Sequence, residues 1–277
     1  MESPTGYVAM WDAFAKRKAG AYLTDKYALT NIVGLVGCAR EHEILRLLEL
    51  KKADVLLDLG CASGHQVFAS APFVKRAVGI DVAQDFIDTA KRFAVEHGVK
   101  NAEFLSTDGG AIPFPDATFT KLICSEVIEH LIDPLPLLAE IKRVLTPGGT
   151  AVFTVPNWNS RGTLYKRLLH GFQEPPFTPI TQFSLTSLES HGDAHVRQYS
   201  LRTFRELVES AGLTADYVGG AGYLDGPHIG RIIEITNRLG FFRWFTFSFE
   251  KFCARVPFFK ALSRHVVLKA HKATLQP

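Results

Sequence analysis

One ten-residue stretch constrains this chain more than any other. Residues 55–64 read VLLDLGCASG, a short apolar run that reaches an acid and then a turn flanked by two glycines. Because glycine has no Cβ atom, the backbone of such a turn can approach a ligand closely. A second apolar run, residues 77–80, ends at Asp81. An acid at the tip of the second strand accepts hydrogen bonds from ribose hydroxyls in nucleotide-binding α/β sheets, so the pattern predicts an adenosine derivative as the ligand.

The spacing of the glycines distinguishes between adenosine derivatives. A dinucleotide site reads Gly-x-Gly-x-x-Gly and holds a pyrophosphate on the amides of a helix start. Here Asp58 is followed by Gly60, Ala62 and Gly64 at every second position. A carboxylate pointing into the turn would repel a pyrophosphate and attract an ammonium group. The Asp-x-Gly-x-Ala-x-Gly motif resembles the first motif of class I S-adenosylmethionine-dependent methyltransferases, which more often have glycine at the position of Ala62.

Later segments extend this resemblance in order along the chain. Residues 103–108 are interpreted as a third strand ending in an acid, and residues 112–126 as a turn followed by a fourth strand. A Leu-x-Pro-Gly-Gly turn at residues 145–149 leads into a fifth strand at residues 151–156. Proline and glycine are typical where a helix stops and a strand starts. The resemblance covers residues from about 40 to 156.

The alternation of strands and helices predicts the fold class. It favours an α/β protein with a parallel sheet, and the resemblance implies a doubly wound, seven-stranded, mostly parallel sheet of the Rossmann-like methyltransferase type. We expect a helical N-terminal lid over residues 1–39 and a methyltransferase domain over residues 40–277. Cap insertions are expected at residues 157–199 and, as a helical insertion before the last strand, at residues 222–263. Irregular segments of this length are usually functional.

The resemblance also implies a cofactor, S-adenosyl-L-methionine, and the residues that bind it. The positions that match the family's cofactor-binding motifs are Asp58, Gly60, Cys61, Gly64, Asp81, Val82, Asp108, Gly109, Ser125 and Glu126. Asp58 would act on the methionine end, Asp81 on the ribose hydroxyls, and Asp108 with Gly109 on the base edge. Ser125 and Glu126 would face the reacting centre, because open α/β sheets bind ligands at the carboxyl ends of their strands.

Two histidines are candidate catalytic bases, which assist the reaction if the methyl acceptor is an alcohol or phenol. His195 lies in the long irregular region, in a His-x-Arg-x-Tyr sequence that resembles the substrate side of many small-molecule methyltransferases. It could instead pair with Asp193 or cap the following helix. His130 lies just past the fourth predicted strand and could instead be a helix-capping residue.

A metal is not predicted, although one grouping leaves that alternative open. Glu126, Glu129 and His130 resemble the divalent-metal ligands of some quinone-precursor and RNA-end methyltransferases. Many relatives carry the same letters without a metal.

The insertion before the last strand combines aromatic and basic residues. Most positions of residues 241–249 are aromatic, and arginines and lysines surround them. This composition suits peripheral contact with a membrane through residues 231–264, a cap over an apolar substrate, or a homodimer face. Core packing of an added helical pair is the fourth interpretation.

Composition and charge exclude some functions. A net charge of +3 over 277 residues is too small to predict nucleic-acid binding. No signal pattern or membrane-spanning segment is found, and the four cysteines show neither disulfide nor zinc spacing. We therefore expect a cytoplasmic protein, with the inner face of the membrane as an alternative location.

These observations predict a methyltransferase that acts on a small-molecule or lipid-like acceptor at oxygen. An NAD-dependent oxidoreductase and a non-catalytic scaffold with a methyltransferase fold are the alternatives. RNA methylation is disfavoured because the basic residues cluster with aromatics near the C-terminus.

Overall fold

A computed structural model of the protein describes residues 32–107, 109–158, 196–222 and 263–274, together with residues 252 and 256. Within these ranges, the helices are α1 (Ile32–Leu48), α2 (His65–Ser70), α3 (Gln84–Glu96), α4 (Leu135–Val144) and α5 (Leu201–Ser210). The strands are β1 (Val55–Leu59), β2 (Arg76–Asp81), β3 (Ala102–Ser106), β4 (Phe119–Ser125), β5 (Leu145–Pro156), β6 (Thr214–Ala221) and β7 (His265–His271).

The seven strands form one sheet with the order β3-β2-β1-β4-β5-β7-β6. Strands β1 to β5 pair in parallel, and β7 runs antiparallel between β5 and β6. The predicted seven-stranded, mostly parallel α/β sheet is confirmed. Because β7 is antiparallel, its first residue, His265, pairs with Pro156 at the carboxyl end of β5. The beginning of β7 therefore lies at the same edge of the sheet as the carboxyl ends of the parallel strands.

The sheet separates two apolar layers, because successive side chains of a strand point to opposite faces. One layer joins α4 and α5 to residues such as Leu57 and Phe153. The other layer joins α1, α2 and α3 to strand residues on the opposite face of the sheet, Leu56, Ile123, Val152 and Val267. Burial on both faces explains why the central strands read as nearly continuous apolar runs.

Two boundaries differ from a simple reading of the sequence. Helix α1 is continuous from Ile32 to Leu48, so the expected boundary between residues 39 and 40 falls inside one helix. Strand β5 begins at Leu145, and its pairing with β4 is irregular between Phe119 and Lys121. The Pro-Gly-Gly sequence is therefore accommodated within the start of the strand. The lid expected before residue 32 and most of the two insertions lie outside the described residues.

Candidate functional site

The turn after β1 is built from left-handed backbone. Gly60, Ala62 and Gly64 have φ angles of 74°, 45° and 82°. The amides of Gly60 and Cys61 both donate to the carbonyl of Ile80 in β2, at 2.8 and 3.0 Å. The predicted turn is thus anchored to the neighbouring strand. Ala62 occupies a conformation that strains any residue with a Cβ atom, which gives a physical reason for the family's preference for glycine there.

The two glycines are also required by close packing. A Cβ atom on Gly60 would overlap the side chain of Val127, and one on Gly64 would overlap the ring of Phe104. Val127 follows β4 and Phe104 lies in β3, so the turn is enclosed by its neighbours on both sides. The turn presents bare backbone at the carboxyl edge of the sheet, which is the shape that a closely held ligand needs.

Asp81, at the end of β2, is held by two backbone amides. Its Oδ2 accepts from the amide of Ala62 at 2.8 Å, and its Oδ1 accepts from the amide of Ala83 at 2.9 Å. The carboxylate therefore joins the glycine-rich turn to the start of α3, with its side chain half-buried at the edge of the sheet. This is the position from which an acid can reach the hydroxyls of a ribose.

Asp58 lies in β1 on the same face of the sheet as Leu56, and only 3% of it is exposed. Cys61, which follows in the turn, is buried, and this burial together with the nearby carboxylates of Asp81 and Asp58 raises the pKa of its thiol well above the ordinary value. The thiol therefore stays protonated and acts as a packing group. Gly79 of β2 makes room for it, because a Cβ atom at Gly79 would lie 2.7 Å from the Cys61 sulfur.

The loop after β3 approaches the end of β2. A Cβ atom on Gly109, which has a φ of 78°, would lie 3.2 Å from Cγ1 of Val82. The structure therefore brings together Gly109 and Val82, two of the positions that match the family's cofactor-binding motifs. Asp108 lies outside the described residues.

The end of β4 carries a hydrogen-bonded chain of polar side chains. The hydroxyls of Ser125 and Thr154 lie 2.8 Å apart, and the Thr154 hydroxyl donates to Oε1 of Glu126 at 3.1 Å. Glu126 has a left-handed backbone, with a φ of 59°, and its amide donates to the carbonyl of Thr154 at 3.0 Å. The sharp turn at Glu126 directs its side chain toward β5 and β7.

Two basic residues complete this chain. Oε2 of Glu126 lies 3.3 Å from Nη1 of Arg40 and 3.5 Å from Nε2 of His265. Arg40 lies one turn before the buried Ile44 on α1, so it reaches the sheet from the same helix face. Nη1 of Arg40 also lies 3.3 Å from Nε2 of His265, and because arginine only donates, this contact is a hydrogen bond when the imidazole is neutral and Nε2 carries no proton. Burial lowers the pKa of His265, in agreement with that form.

Sequence reasoning did not identify Arg40, Thr154 or His265. Each belongs to a different element, and only the folded sheet brings them to Glu126. Two consecutive residues of α1 contact the site, since Oε1 of Glu41 lies 2.9 Å from Nδ1 of His65 at the start of α2. The run of four polar residues at positions 40–43 of α1 was the available signal.

His130 lies in a short 3-10 turn, Ile128–His130, and is 8% exposed. Its Nε2 is 3.9 Å from Oε1 of the buried Glu129. The amides of Val196 and Arg197 donate to the backbone carbonyl of Glu129 at 2.9 and 3.0 Å. The segment that follows His195 in sequence is thus attached to the turn that contains His130, whereas His195 itself lies outside the described residues.

The described ranges contain neither a candidate metal cluster nor a helix that could span a membrane. No group of three His, Cys, Asp or Glu side chains in the described ranges could hold a metal ion. Glu126 is turned toward Arg40, away from a shared site with Glu129 and His130. Among the helices that the structure describes, none is long and apolar enough to cross a bilayer.

The turn after β1, together with Asp58 and Asp81, forms a cradle at the carboxyl edge of the sheet. Comparison with known proteins decides between the interpretations of this cradle. Residues 57–153, which contain the glycine-rich turn, Asp81 and Glu126, match the family model of the methyltransferase domain. Residues 57–153 therefore belong to a methyltransferase domain of the class I S-adenosylmethionine-dependent type. The predicted family and its cofactor, S-adenosylmethionine, are thereby confirmed.

Two of the relatives of this chain match it over the domain alone. It is 30% identical over 106 residues to an uncharacterized methyltransferase, YcgJ, of Bacillus subtilis, covering 38% of this chain and 42% of that protein. It is 27% identical over 110 residues to the ubiquinone biosynthesis O-methyltransferase of Vibrio cholerae, covering 40% and 45%. The match therefore spans less than half the length of each of these relatives.

A solved structure shows the same fold. An S-adenosylmethionine-dependent methyltransferase from Aquifex aeolicus superimposes on this chain with a TM-score of 0.55. The two are 16% identical in sequence, over 92% of this chain and 97% of that one. At this identity the likeness establishes the fold alone. The alternative of an NAD-dependent oxidoreductase, which shares the early strand-turn-helix, is not supported by the family match.

Proposed function

We propose that this methyltransferase transfers a methyl group from S-adenosylmethionine to an oxygen atom of a small-molecule or lipid-like acceptor. The observation that supports it best is the arrangement of Asp58 and Asp81 on neighbouring strands, on either side of a glycine turn that presents bare backbone. Such a cradle fits a ligand with a cationic end and a ribose. The absent Cβ atoms of Gly60 and Gly64 let this turn pack closely between Val127 and Phe104, which holds its backbone in place.

The proposed roles of the binding residues follow from this geometry. Asp58 attracts the ammonium group of the methionine moiety, and Asp81 accepts hydrogen bonds from the ribose hydroxyls. The backbone at Gly60, Cys61 and Gly64 packs against the cofactor, and Val82 and Gly109, with Asp108, surround the base. Ser125 and Glu126 face the reacting centre. The sulfonium supplies an already activated methyl group, so the chain's remaining task is to align the acceptor and exclude water.

An oxygen acceptor has to lose a proton during the transfer. We propose His130 and His195 as the candidate bases. His130 is supported by its position after β4 and by Glu129, whose carboxylate 3.9 Å away can stabilise the imidazolium. His195 is supported by the backbone hydrogen bonds that attach Val196 to the same turn.

The nature of the acceptor is supported by two further observations. The V. cholerae relative is named for O-methylation in ubiquinone biosynthesis, which concerns a lipid-like quinone. The sequence of residues 231–264 is aromatic and basic. We therefore propose that this segment covers an apolar acceptor or contacts the inner face of a membrane, and that the protein is cytoplasmic. A homodimer face is the alternative use of the segment. Two buried free thiols, Cys61 and Cys124, are compatible with a reducing compartment.

Transfer of a labelled methyl group tests this proposal. The protein is incubated with S-adenosylmethionine carrying tritium in its methyl group, and with either catechol or a bacterial lipid extract as the acceptor. Label in the organic phase that hot hydriodic acid releases as methyl iodide would support transfer to oxygen. Label that resists this treatment would indicate a carbon or nitrogen acceptor and contradict O-methylation. A protein that binds the cofactor but labels neither pool would contradict both proposed acceptor classes.

A further inference from the structure

The polar side chains at the carboxyl edge form a row on one face of the sheet. Leu56, Ile123 and Val152 belong to the apolar layer under α1. The residues two positions later along each strand, Asp58, Ser125 and Thr154, point to the same face because side chains alternate. Asp58 pairs with Ile123 in the register between β1 and β4, so Ser125 lies one side-chain step beyond it on the neighbouring strand. The carboxylate of Asp58 and the hydroxyl of Ser125 therefore border the same space.

The hydrogen bonds along this row have a fixed direction. Arg40 carries a permanent positive charge and pairs with the Glu126 carboxylate at 3.3 Å. An ionised carboxylate only accepts hydrogen bonds, so the single proton of the Thr154 hydroxyl is donated to Glu126. The contact of 2.8 Å between Thr154 and Ser125 then requires Ser125 to be the donor. The Ser125 proton points toward β5, and the lone pairs of its oxygen remain available at the cradle.

The burial of the row supports this fixed direction. Thr154 is only 1% exposed, and Arg40 is 9% exposed, so water competes little for their hydrogen bonds. A hydroxyl on the surface can rotate between partners, whereas one in this position has a single arrangement that satisfies its neighbours.

We infer that Ser125 accepts a hydrogen bond from the ammonium group of the bound cofactor, and that Thr154 is a positioning residue that keeps the Ser125 hydroxyl in the accepting orientation. An ammonium group has three donors and needs more than the single carboxylate of Asp58. Asp58 supplies the charge, and Ser125 supplies a neutral acceptor from the next strand. This inference rests on the proposed binding of S-adenosylmethionine in the cradle.

Calorimetric titration with two probes tests the inference. The probes are S-adenosylhomocysteine and its analogue that lacks the amino group. Ser125→Ala should weaken binding of S-adenosylhomocysteine roughly tenfold or more, as expected for a hydrogen bond to a charged group, and should leave the affinity for the analogue unchanged. Thr154→Val should cause a smaller loss, roughly threefold to tenfold, because the Ser125 hydroxyl can then rotate. Thr154→Ser should restore the affinity.

Controls separate this role from a structural one. Thr150 lies on the same strand and the same face as Thr154, four residues earlier in β5, and Thr150→Val should not change the affinity for either probe. Melting temperatures establish that each variant is folded, and Ser125→Ala alone decides the matter if Thr154→Val does not fold. Equal weakening of both probes by Ser125→Ala, or no weakening of either, would overturn the inference while leaving the proposed function intact. Failure of the unaltered protein to bind S-adenosylhomocysteine would instead contradict the proposed function.

Discussion

The side chain of Asp81 accepts a hydrogen bond of 2.8 Å from the amide of Ala62, so the acid that ends β2 also holds the turn that follows β1. The second carboxylate oxygen accepts from the amide of Ala83 at 2.9 Å. One side chain thus orders both loops of the proposed nucleoside site. Binding and local stability are therefore coupled through Asp81.

Replacement of Asp81 should affect both properties. Asp81→Asn leaves one accepting oxygen where two amides donate, so we expect the free energy of unfolding to fall by about 1–3 kcal/mol. Affinity for S-adenosylhomocysteine should fall roughly tenfold or more, since the ribose also loses an acceptor. Urea unfolding and calorimetry measure the two effects. Asp88→Asn, on the exposed side of α3, should change neither, and an Asp81→Asn protein with unaltered affinity would contradict the ribose assignment.

Substitutions at two glycines with the same backbone conformation distinguish the cost of backbone strain from the cost of steric overlap. Gly60 and Gly98 have φ angles of 74° and 64°, but a Cβ atom would overlap Val127 at Gly60 and would meet nothing within 4 Å at Gly98. Gly98→Ala should cost about 1–2 kcal/mol in unfolding free energy from the left-handed backbone alone. Gly60→Ala should cost a further 1–3 kcal/mol or so, about the usual penalty for overpacking. Equal costs in urea unfolding would show that Val127 yields to the added methyl group.

The strain at Ala62 should be removable. With a φ of 45°, Ala62 pays a conformational cost that glycine does not, although glycine also increases the entropy of the unfolded chain. We expect Ala62→Gly to raise the free energy of unfolding by up to about 1 kcal/mol. A clear decrease in urea-unfolding stability would mean that the methyl group makes a packing contact that outweighs the strain.

The stability of the protein should decrease in mild acid because of His265. Burial lowers the pKa of this histidine, an effect that Arg40 and Arg264 strengthen and Glu126 opposes. Between the ordinary value of about 6.5 and the lower value in the folded protein, the unfolded chain binds a proton that the folded chain does not, so stability falls as pH decreases. The contribution is at most about 1.4 kcal/mol per pH unit.

Unfolding by urea at a series of pH values measures this contribution. His265→Gln should lose stability less steeply than the unaltered protein below about pH 6.5. His42→Gln, at an exposed position on α1, should retain the original slope. A His265→Gln slope identical to that of the unaltered protein would show that His265 does not remain neutral in the folded state.

The fold and the glycine-rich turn at the carboxyl edge were predictable because their signals are local. An apolar run that ends at Asp58 or Asp81 specifies a strand and its tip, and glycine spacing specifies the turn between them. The contacts of Glu126 were not predictable in this way. They join α1, β5 and β7, whose meeting depends on the antiparallel placement of β7 beside β5. No pattern within a single segment encodes the contact of Arg40 with His265. The left-handed turn at Glu126 does not occur at a glycine, so the sequence does not indicate it.

We expect the cradle between Asp58 and Asp81 to bind S-adenosylmethionine. Calorimetric titration of the folded protein with S-adenosylhomocysteine and, separately, with NAD measures this binding. We expect a saturable heat of binding for one molecule of S-adenosylhomocysteine per chain, and no heat of binding for NAD. Heat from NAD, or the absence of heat from S-adenosylhomocysteine with protein that unfolds cooperatively, would contradict it.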